Sequence, residues 1–231
     1  MAEFRHGSGR HGRGHWGRER VTDFGGFEGC TERMRLRPYR LADYDAFADL
    51  HGRDVVARYL PWETRDAEAS RAALDRHQSM TVEKDGDGIT LAGFEVDTGR
   101  LVGEFVLFLR SVEHRGGELG YVVHPDFQGR GLATEGARVM LEIGFDVMGL
   151  HRVVARMDAR NSGSAAVLVR LGMRREALLV KNEWFKGEWG DEADYALLDE
   201  EWVGHGTRSL ISSNVVAPAA ARSAPDVSPP A

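Results

Sequence analysis

Strand-like and helix-like segments alternate along this chain, which predicts an α/β domain with a mixed central sheet of about seven strands and about four flanking helices. Three observations carry that prediction. Runs of β-branched and aromatic residues alternate with runs of helical apolar spacing. Three strand-like runs follow one another between residues 89 and 124, joined only by DTGR and by the loop near HRGG, in the manner of an antiparallel meander. In HPDFQGRGLATEG, residues 124–136, a strand-like run ends in a Gly-rich turn and a helical run begins at once.

In order, RMRLRPY (33–39) is a short strand stopped by Pro38. Residues 41–60 place Leu41, Tyr44, Phe47 and Leu50 at helical spacing, in a helix that Gly52 interrupts and Pro61 ends. DAEASRAALDRHQSM (66–80) is a second helix, and the meander follows it. The helix after the Gly-rich turn has Ala133, Ala137, Met140, Leu141, Gly144 and Met148 on one stripe over 132–148. A strand, HRVVARMDA (151–159), and a short helix, SGSAAVLVRLG (162–172), come next, with Gly172 placed as the helix stop. MRREALLVKNEW (173–184) and DEADYALLDEEW (191–202) close the domain as an antiparallel pair, the acidic DEADY and DEEW stretches reading as solvated strand ends.

Composition bounds the function classes. The chain has 231 residues, 42% hydrophobic and 29% charged, enough for one domain with a sizeable core. It has no apolar run near 18 residues to span a membrane, and its start is too polar for a secretory signal. Cys30 is the single cysteine, which excludes an internal disulfide framework and fits a reducing, cytoplasmic setting. A net charge of −6 argues against broad nucleic-acid binding, although the first twenty residues carry five arginines against two glutamates. Residues 1–32, dense in Gly, Arg and His, and residues 204–231, rich in Ala, Pro and Ser, read as disordered segments around a folded unit at 33–203. Because Met34 opens the domain cleanly, a chain starting there is expected to keep its stability; the rival reading makes the arm an RNA-binding segment. The histidines at 6, 11 and 15 fall in that arm and imply no metal site.

A strand, a Gly-rich turn and a helix in succession can present backbone N–H groups and the positive end of a helix dipole to an anion. A dinucleotide fold would need GxGxxG and parallel crossovers, neither of which is present. QGRGLA (128–133) and NSGSAAVLVRLGM (161–173), at this distance and in this order of elements, resemble the two signatures of the GNAT acetyltransferase superfamily. ELGYVVHPDFQGRG and YALLDEEW are similar to the branch that includes the ribosomal-protein-alanine N-acetyltransferases. The resemblance covers about residues 33–203 and implies acetyl-CoA as co-substrate, with a sheet splayed between its fourth and fifth strands. It implies that the pantetheine arm pairs with the strand edge at Tyr121, Val122, Val123 and His124, and that Asn161 and Ser164 meet it from the other side. Asn161 also reads as a helix cap. The pyrophosphate would lie on Gln128, Gly129, Arg130, Gly131, Leu132 and Ala133. Glycines there let the backbone approach the phosphates, and Arg130 can add a charge-assisted contact.

Acetyl transfer to an amine requires the amine neutral. At pH 7 on the order of a tenth of an α-amino group is neutral, against well under a thousandth of a lysine. Glu118, on the face of Gly120 and Val122, is the first candidate base. Glu104 is the second, because it shares a strand face with Val102, Val106 and Phe108, where an apolar setting would raise its pKa. Many relatives carry a tyrosine in the last helix to protonate the leaving thiolate; the matching residue here is Leu168, so Ser164, water or unaided departure serves instead. The resemblance places the acceptor wall at Trp62 and Glu63, with Trp184 and Phe185 lining the same cleft or capping the core. The folded unit has no cysteine to form an acyl intermediate, which favours direct attack in a ternary complex. The expected acceptor is a protein N-terminal amine. A small amine such as an aminoglycoside or polyamine, and a CoA-binding sensor without turnover, are the alternatives, and monomer and homodimer both stay open.

Overall fold

The computed structural model describes residues 23–77 and 81–202. Its elements run β1 (Gly29–Cys30), β2 (Met34–Arg37), α1 (Tyr44–His51), α2 (Asp54–Ala57), α3 (Ala67–Arg76), β3 (Gly88–Glu95), β4 (Leu101–Ser111) and β5 (Gly116–Val123). There follow α4 (Leu132–Glu142), β6 (Arg152–Asp158), α5 (Ser162–Arg170), β7 (Arg174–Phe185) and β8 (Glu188–Leu198). The strands form one sheet in the order β1-β2-β3-β4-β5-β6-β8-β7. The expected meander is β3–β4–β5, and the expected closing pair is β7–β8, with β7 at the edge.

The sheet buries both faces. On one side Phe105, Leu107 and Leu109 of β4 pack with Ala137, Met140 and Leu141 of α4 and with Leu168 of α5. On the other, Ala92 and Leu101 meet Phe47 and Leu50 of α1 and Ala73 and Leu74 of α3. Alternation along β4 and β5 therefore sends Glu104, Val106 and Phe108 to one face, with their partners Val122, Gly120 and Glu118. Val102 does not join them, contrary to the simple alternation. The register slips between Gly93 and Phe94, pairing Phe94 with Leu101 and Gly93 with Gly103, so Val102 is the extra residue of a bulge and packs in the opposite cluster.

Three expectations need correction. The sheet has an eighth strand, β1, antiparallel to β2, and Phe24 and Phe27 before it are buried at 1% and 3% exposure. Residues 23–32 are thus part of the folded unit and not of the segment expected to be disordered, so the unit does hold a cysteine, Cys30, exposed on the edge strand β1; residues 1–22 and 203–231 lie outside the described residues. The helix expected over 41–60 does break at Gly52, but it opens with a 3-10 turn at Leu41–Asp43, followed by α1 and α2. Gly52 closes α1, its N–H donating to Ala48 O, and the chain restarts after an extended Arg53. The helix expected to run to Met148 leaves α geometry at Ile143–Val147, where it makes a π-helical turn.

What positions the site is the divergence of two central strands. β5 and β6 run parallel, but their pairing stops after Gly116, Gly117 and Glu118 meet Arg152, Val153 and Val154. Among the described residues the rest of β5, including Tyr121, Val122 and Val123, has no strand partner on that side, so its backbone groups face an opening between the strands.

Candidate active site

The opening is a cavity of about 870 Å³ between the end of β5, the starts of α4 and α5, and α2. The Gly-rich turn forms one wall. Gly129 and Gly131 adopt φ of +73° and +79°, a left-handed backbone that favours glycine. Gly131 is the N-terminal cap of α4, so the first N–H groups of that helix carry the partial positive charge of its dipole at the cavity. Gln128 braces the turn by donating from Nε2 to Val123 O at 3.0 Å. Thr134, in the first turn of α4, lines the cavity with a buried hydroxyl that has no hydrogen-bond partner among the described residues. On the opposite wall Asn161 caps α5, its Oδ1 accepting from Ser164 N at 3.0 Å, and both residues line the cavity.

Unpaired strand amides, a helix start with open glycines and an orphaned hydroxyl, arranged around a space of this size, suit a long ligand with amide and phosphate groups. Tyr121, Val122, Val123, Gln128, Gly129, Gly131, Leu132, Ala133, Asn161 and Ser164 all line that space. His124 and Arg130 do not. His124 is 4% exposed, accepts from Asp126 N at Nδ1 and bonds Asp49 Oδ2 through Nε2 at 3.0 Å. Arg130 turns its guanidinium to Glu95, 2.6 Å away, while its carbonyl accepts from Arg33. Both brace the turn from behind, because each found a carboxylate partner outside the cavity.

A second cleft, about 380 Å³, lies across β5 and is lined by Tyr59, Trp62, Phe108, Glu118, Gly120, Glu183, Phe185 and Glu192, among others. Tyr59 lines both spaces, so the two are neighbours. Trp62 lines this cleft, with the Arg65 guanidinium 4.9 Å from its ring centre. Glu63 and Trp184 do not line it. Glu63 pairs at the surface with Lys186, which also donates to Ala57 O at 2.8 Å and so ties the β7–β8 turn to the end of α2. Trp184 is 64% exposed, edge-on to Trp189, and its neighbour Phe185 faces the cleft instead.

The carboxylates fall into different states. Glu118 is already paired with two arginines, Arg110 Nε at 2.9 Å and Arg156 Nη1 at 3.5 Å. Glu104 is buried under α1, 3.2 Å from His51 Nε2 and 4.0 Å from His77 Nε2, and does not line the cleft. Burial pushes its carboxyl up, but the His51 hydrogen bond and the charges of His51, His77 and Arg65 outweigh burial and leave it below the ordinary range. That reverses the expected sign. Glu192 behaves in the opposite way: burial, a hydrogen bond with Glu183 and the charges of Glu183 and Asp194 raise its pKa to about 7. Glu192 on β8 faces Leu179 of β7, and Glu183 follows a register slip that leaves it opposite Gly190. The slip is what brings the two carboxyls together, and no periodicity in DEADY or KNEW announces it. Their only sequence signal is the presence of two acids on strands expected to pair.

Sheet, splay, Gly-rich turn and cavity together define an acyl-CoA-dependent transferase of the GNAT type. The family model described as an acetyltransferase (GNAT) domain matches residues 33–174, and the chain belongs to that family. It is 33% identical over 175 residues to the uncharacterized N-acetyltransferase YnaD of Bacillus subtilis, covering 74% of this chain and 97% of that protein. It is 24% identical over 177 residues to the spermidine N(1)-acetyltransferase of Escherichia coli K12, covering 74% and 88%. Among solved structures, a GNAT-family acetyltransferase from Bacillus anthracis superposes with a TM-score of 0.67 at 28% identity, over 75% of this chain and 99% of that one.

Proposed function

We propose that this N-acetyltransferase moves the acetyl group of acetyl-CoA to a peptide α-amino group by direct attack in a ternary complex, with the Glu183–Glu192 pair taking the amine's proton. The observation that carries the proposal is the placing of two carboxyls, Glu183 and Glu192, together in the cleft that adjoins the cavity at Tyr59; burial and the neighbouring acids push Glu192 up to about 7. An α-amino group titrates at about 7.7–8.0, within about one unit of that pair, whereas a lysine-type amine at about 10.4 lies about three units above it. Proton transfer to the pair is thus nearly balanced for a terminal amine and strongly uphill for a polyamine.

Acetyl-CoA supplies an activated thioester. This chain's residues do the rest. The free edge of Tyr121–Val123 and the Asn161 side hold the amide-bearing arm, and the N–H groups after Gly129 face the phosphates, each such interaction contributing about 0.3–1 kcal/mol. Tyr59, Trp62, Phe108 and Phe185 exclude water around the amine, and Arg110 and Arg156 keep Glu118 an ion-pair partner and not the base. Apposing amine and thioester in the two adjoining spaces supplies the proximity term of the rate.

Free-thiol release measured with acetyl-CoA and a panel of peptides and small amines tests the proposal. Peptides with free N-termini should be turned over fastest, with kcat/KM rising through about pH 7. Glu192→Gln should lose about 10²–10⁴-fold in turnover together with that pH limb, while Glu118→Gln keeps the limb. Faster turnover of spermidine or an aminoglycoside would replace the acceptor assignment. Acetyl-CoA binding without thiol release for any amine would make the protein a sensor.

A further inference from the structure

The cavity wall carries a pair of hydroxyls that the base chemistry leaves unused. Tyr121 lies on β5 in alternation with Leu119, so its side chain turns to the α5 side of the sheet while Glu118 and Gly120 face the cleft. Its hydroxyl is 2.8 Å from Ser164 Oγ and 3.1 Å from Ser164 O. Leu168, one turn further along α5, is buried in the core at 1% exposure, so that position offers no proton. The phenol at the cavity comes from the strand instead of the helix.

One phenol proton faces two acceptors, and the choice decides what Ser164 can do. When Tyr121 donates to the Ser164 carbonyl, the serine proton points back at the phenol oxygen. When Tyr121 donates to Oγ, the serine proton is free to point into the cavity. We propose that Tyr121 is a positioning residue that turns the Ser164 proton toward the leaving thiolate and replaces it after transfer. The proposal rests on the acetyltransferase function argued above. As the amine nitrogen bonds to the carbonyl carbon, the carbon–sulfur bond breaks and sulfur keeps the electron pair. Sulfur takes the Ser164 proton, Ser164 Oγ takes the Tyr121 proton, and water in the open cavity restores the phenol. Nitrogen gives up two protons in all: the first passes to the carboxyl pair and on to solvent before attack, and the second, lost as the amide forms, neutralises the hydroxide. Burial raises the Tyr121 pKa to about 12, so a phenolate is refilled at once at neutral pH.

The test compares wild type, Tyr121→Phe, Ser164→Ala and the double variant by steady-state thiol release, with calorimetry for CoA and thermal melting alongside. Tyr121→Phe should lower kcat by about 10–100-fold, change KM for acetyl-CoA by less than about threefold, and leave the limb near pH 7 in place. The double variant should be no slower than Ser164→Ala alone, because both residues act on one proton. Wild-type kcat in Tyr121→Phe, an effect confined to the acetyl-CoA KM, or multiplying losses in the double variant would overturn the proposal. If Tyr121→Phe melts early, 3-fluorotyrosine at position 121 gives the same decision: kcat should respond to the more acidic phenol, and an unchanged kcat refutes the relay. Active wild type with an indifferent Tyr121 sinks this inference alone; wild type inert toward every amine sinks the acetyltransferase function as well, and this proposal with it.

Discussion

Glu104 shows how a residue's environment decides its role. An acid in an apolar stripe invites assignment as a base, yet this one is buried against His51, with His77 and Arg65 near, and its pKa falls instead of rising. Its place is under α1, where it ties a helix to the sheet. Glu104→Gln should therefore cost about 1.5–3 kcal/mol of unfolding free energy, as expected when a buried hydrogen bond to a charged group is weakened, and leave the pH limb of catalysis unchanged. Chemical denaturation and the rate profile check the two halves. The cluster also gives stability a pH dependence of defined sign. Glu104, held low, contributes stability above the ordinary carboxylate range that is lost as pH falls through its folded pKa. Burial holds His77 below its ordinary value, so its contribution is complete above about pH 6.5 and is lost below. Both act in the same direction, opposite to that of Glu192 with its raised pKa, so in a Glu192→Gln background the melting temperature should decline as pH drops below about 6.5.

At the scale of elements, α4 is fixed at both its start and its middle by glycines with different duties. Gly131, at φ +79°, lets the turn enter the helix with its N–H groups facing the cavity. Gly131→Asp adds a side chain to a left-handed position and a negative charge where the pyrophosphate is proposed to lie. Acetyl-CoA affinity should fall by orders of magnitude while the melt stays cooperative, and unchanged affinity in calorimetry would move the phosphate site elsewhere. Gly136 instead lies against the Phe105 ring, where an added Cβ would come within 2.2 Å of Cζ. Gly136→Ala should destabilise by about 1–3 kcal/mol from overpacking, in spite of the better helix propensity of alanine.

For the whole molecule, the segment before β2 is a structural part of the fold. Phe24 and Phe27 enter the same cluster as α4, and Thr31 and Arg33 both bond Glu135 in the first turn of α4, the latter through Nε at 2.7 Å. A chain beginning at Met34 would leave that cluster open and Glu135 without either partner. Its melting temperature should fall well below that of the full chain, and Phe24→Ala or Phe27→Ala alone should cost about 3–5 kcal/mol. Equal melting temperatures for the full chain and the Met34 form would show that these aromatics contribute little.

What the sequence determined by itself was whatever depends on short-range pattern. Period-2 and helical runs located β2 to β8, α3 and α5, and the spacing of QGRGLA and NSGSAAVLVRLGM pointed to the family and to the turn that lines the cavity. These features survive because a strand, a cap or a left-handed glycine turn is decided by residues a few positions apart. The N-terminal strand escaped notice because Phe24 and Phe27 stand among glycines and charges without a period, and only the sheet edge and α4 make them core. Tertiary structure alone decided the chemistry of the acids and hydroxyls. The Glu183–Glu192 pair depends on a register slip between β7 and β8, and the contact of Tyr121 with Ser164 joins residues 43 positions apart across a splayed sheet. Whether a carboxyl is bound to arginine, to histidine or to another carboxyl sets its proton affinity, and that choice is made by long-range packing that no local pattern encodes.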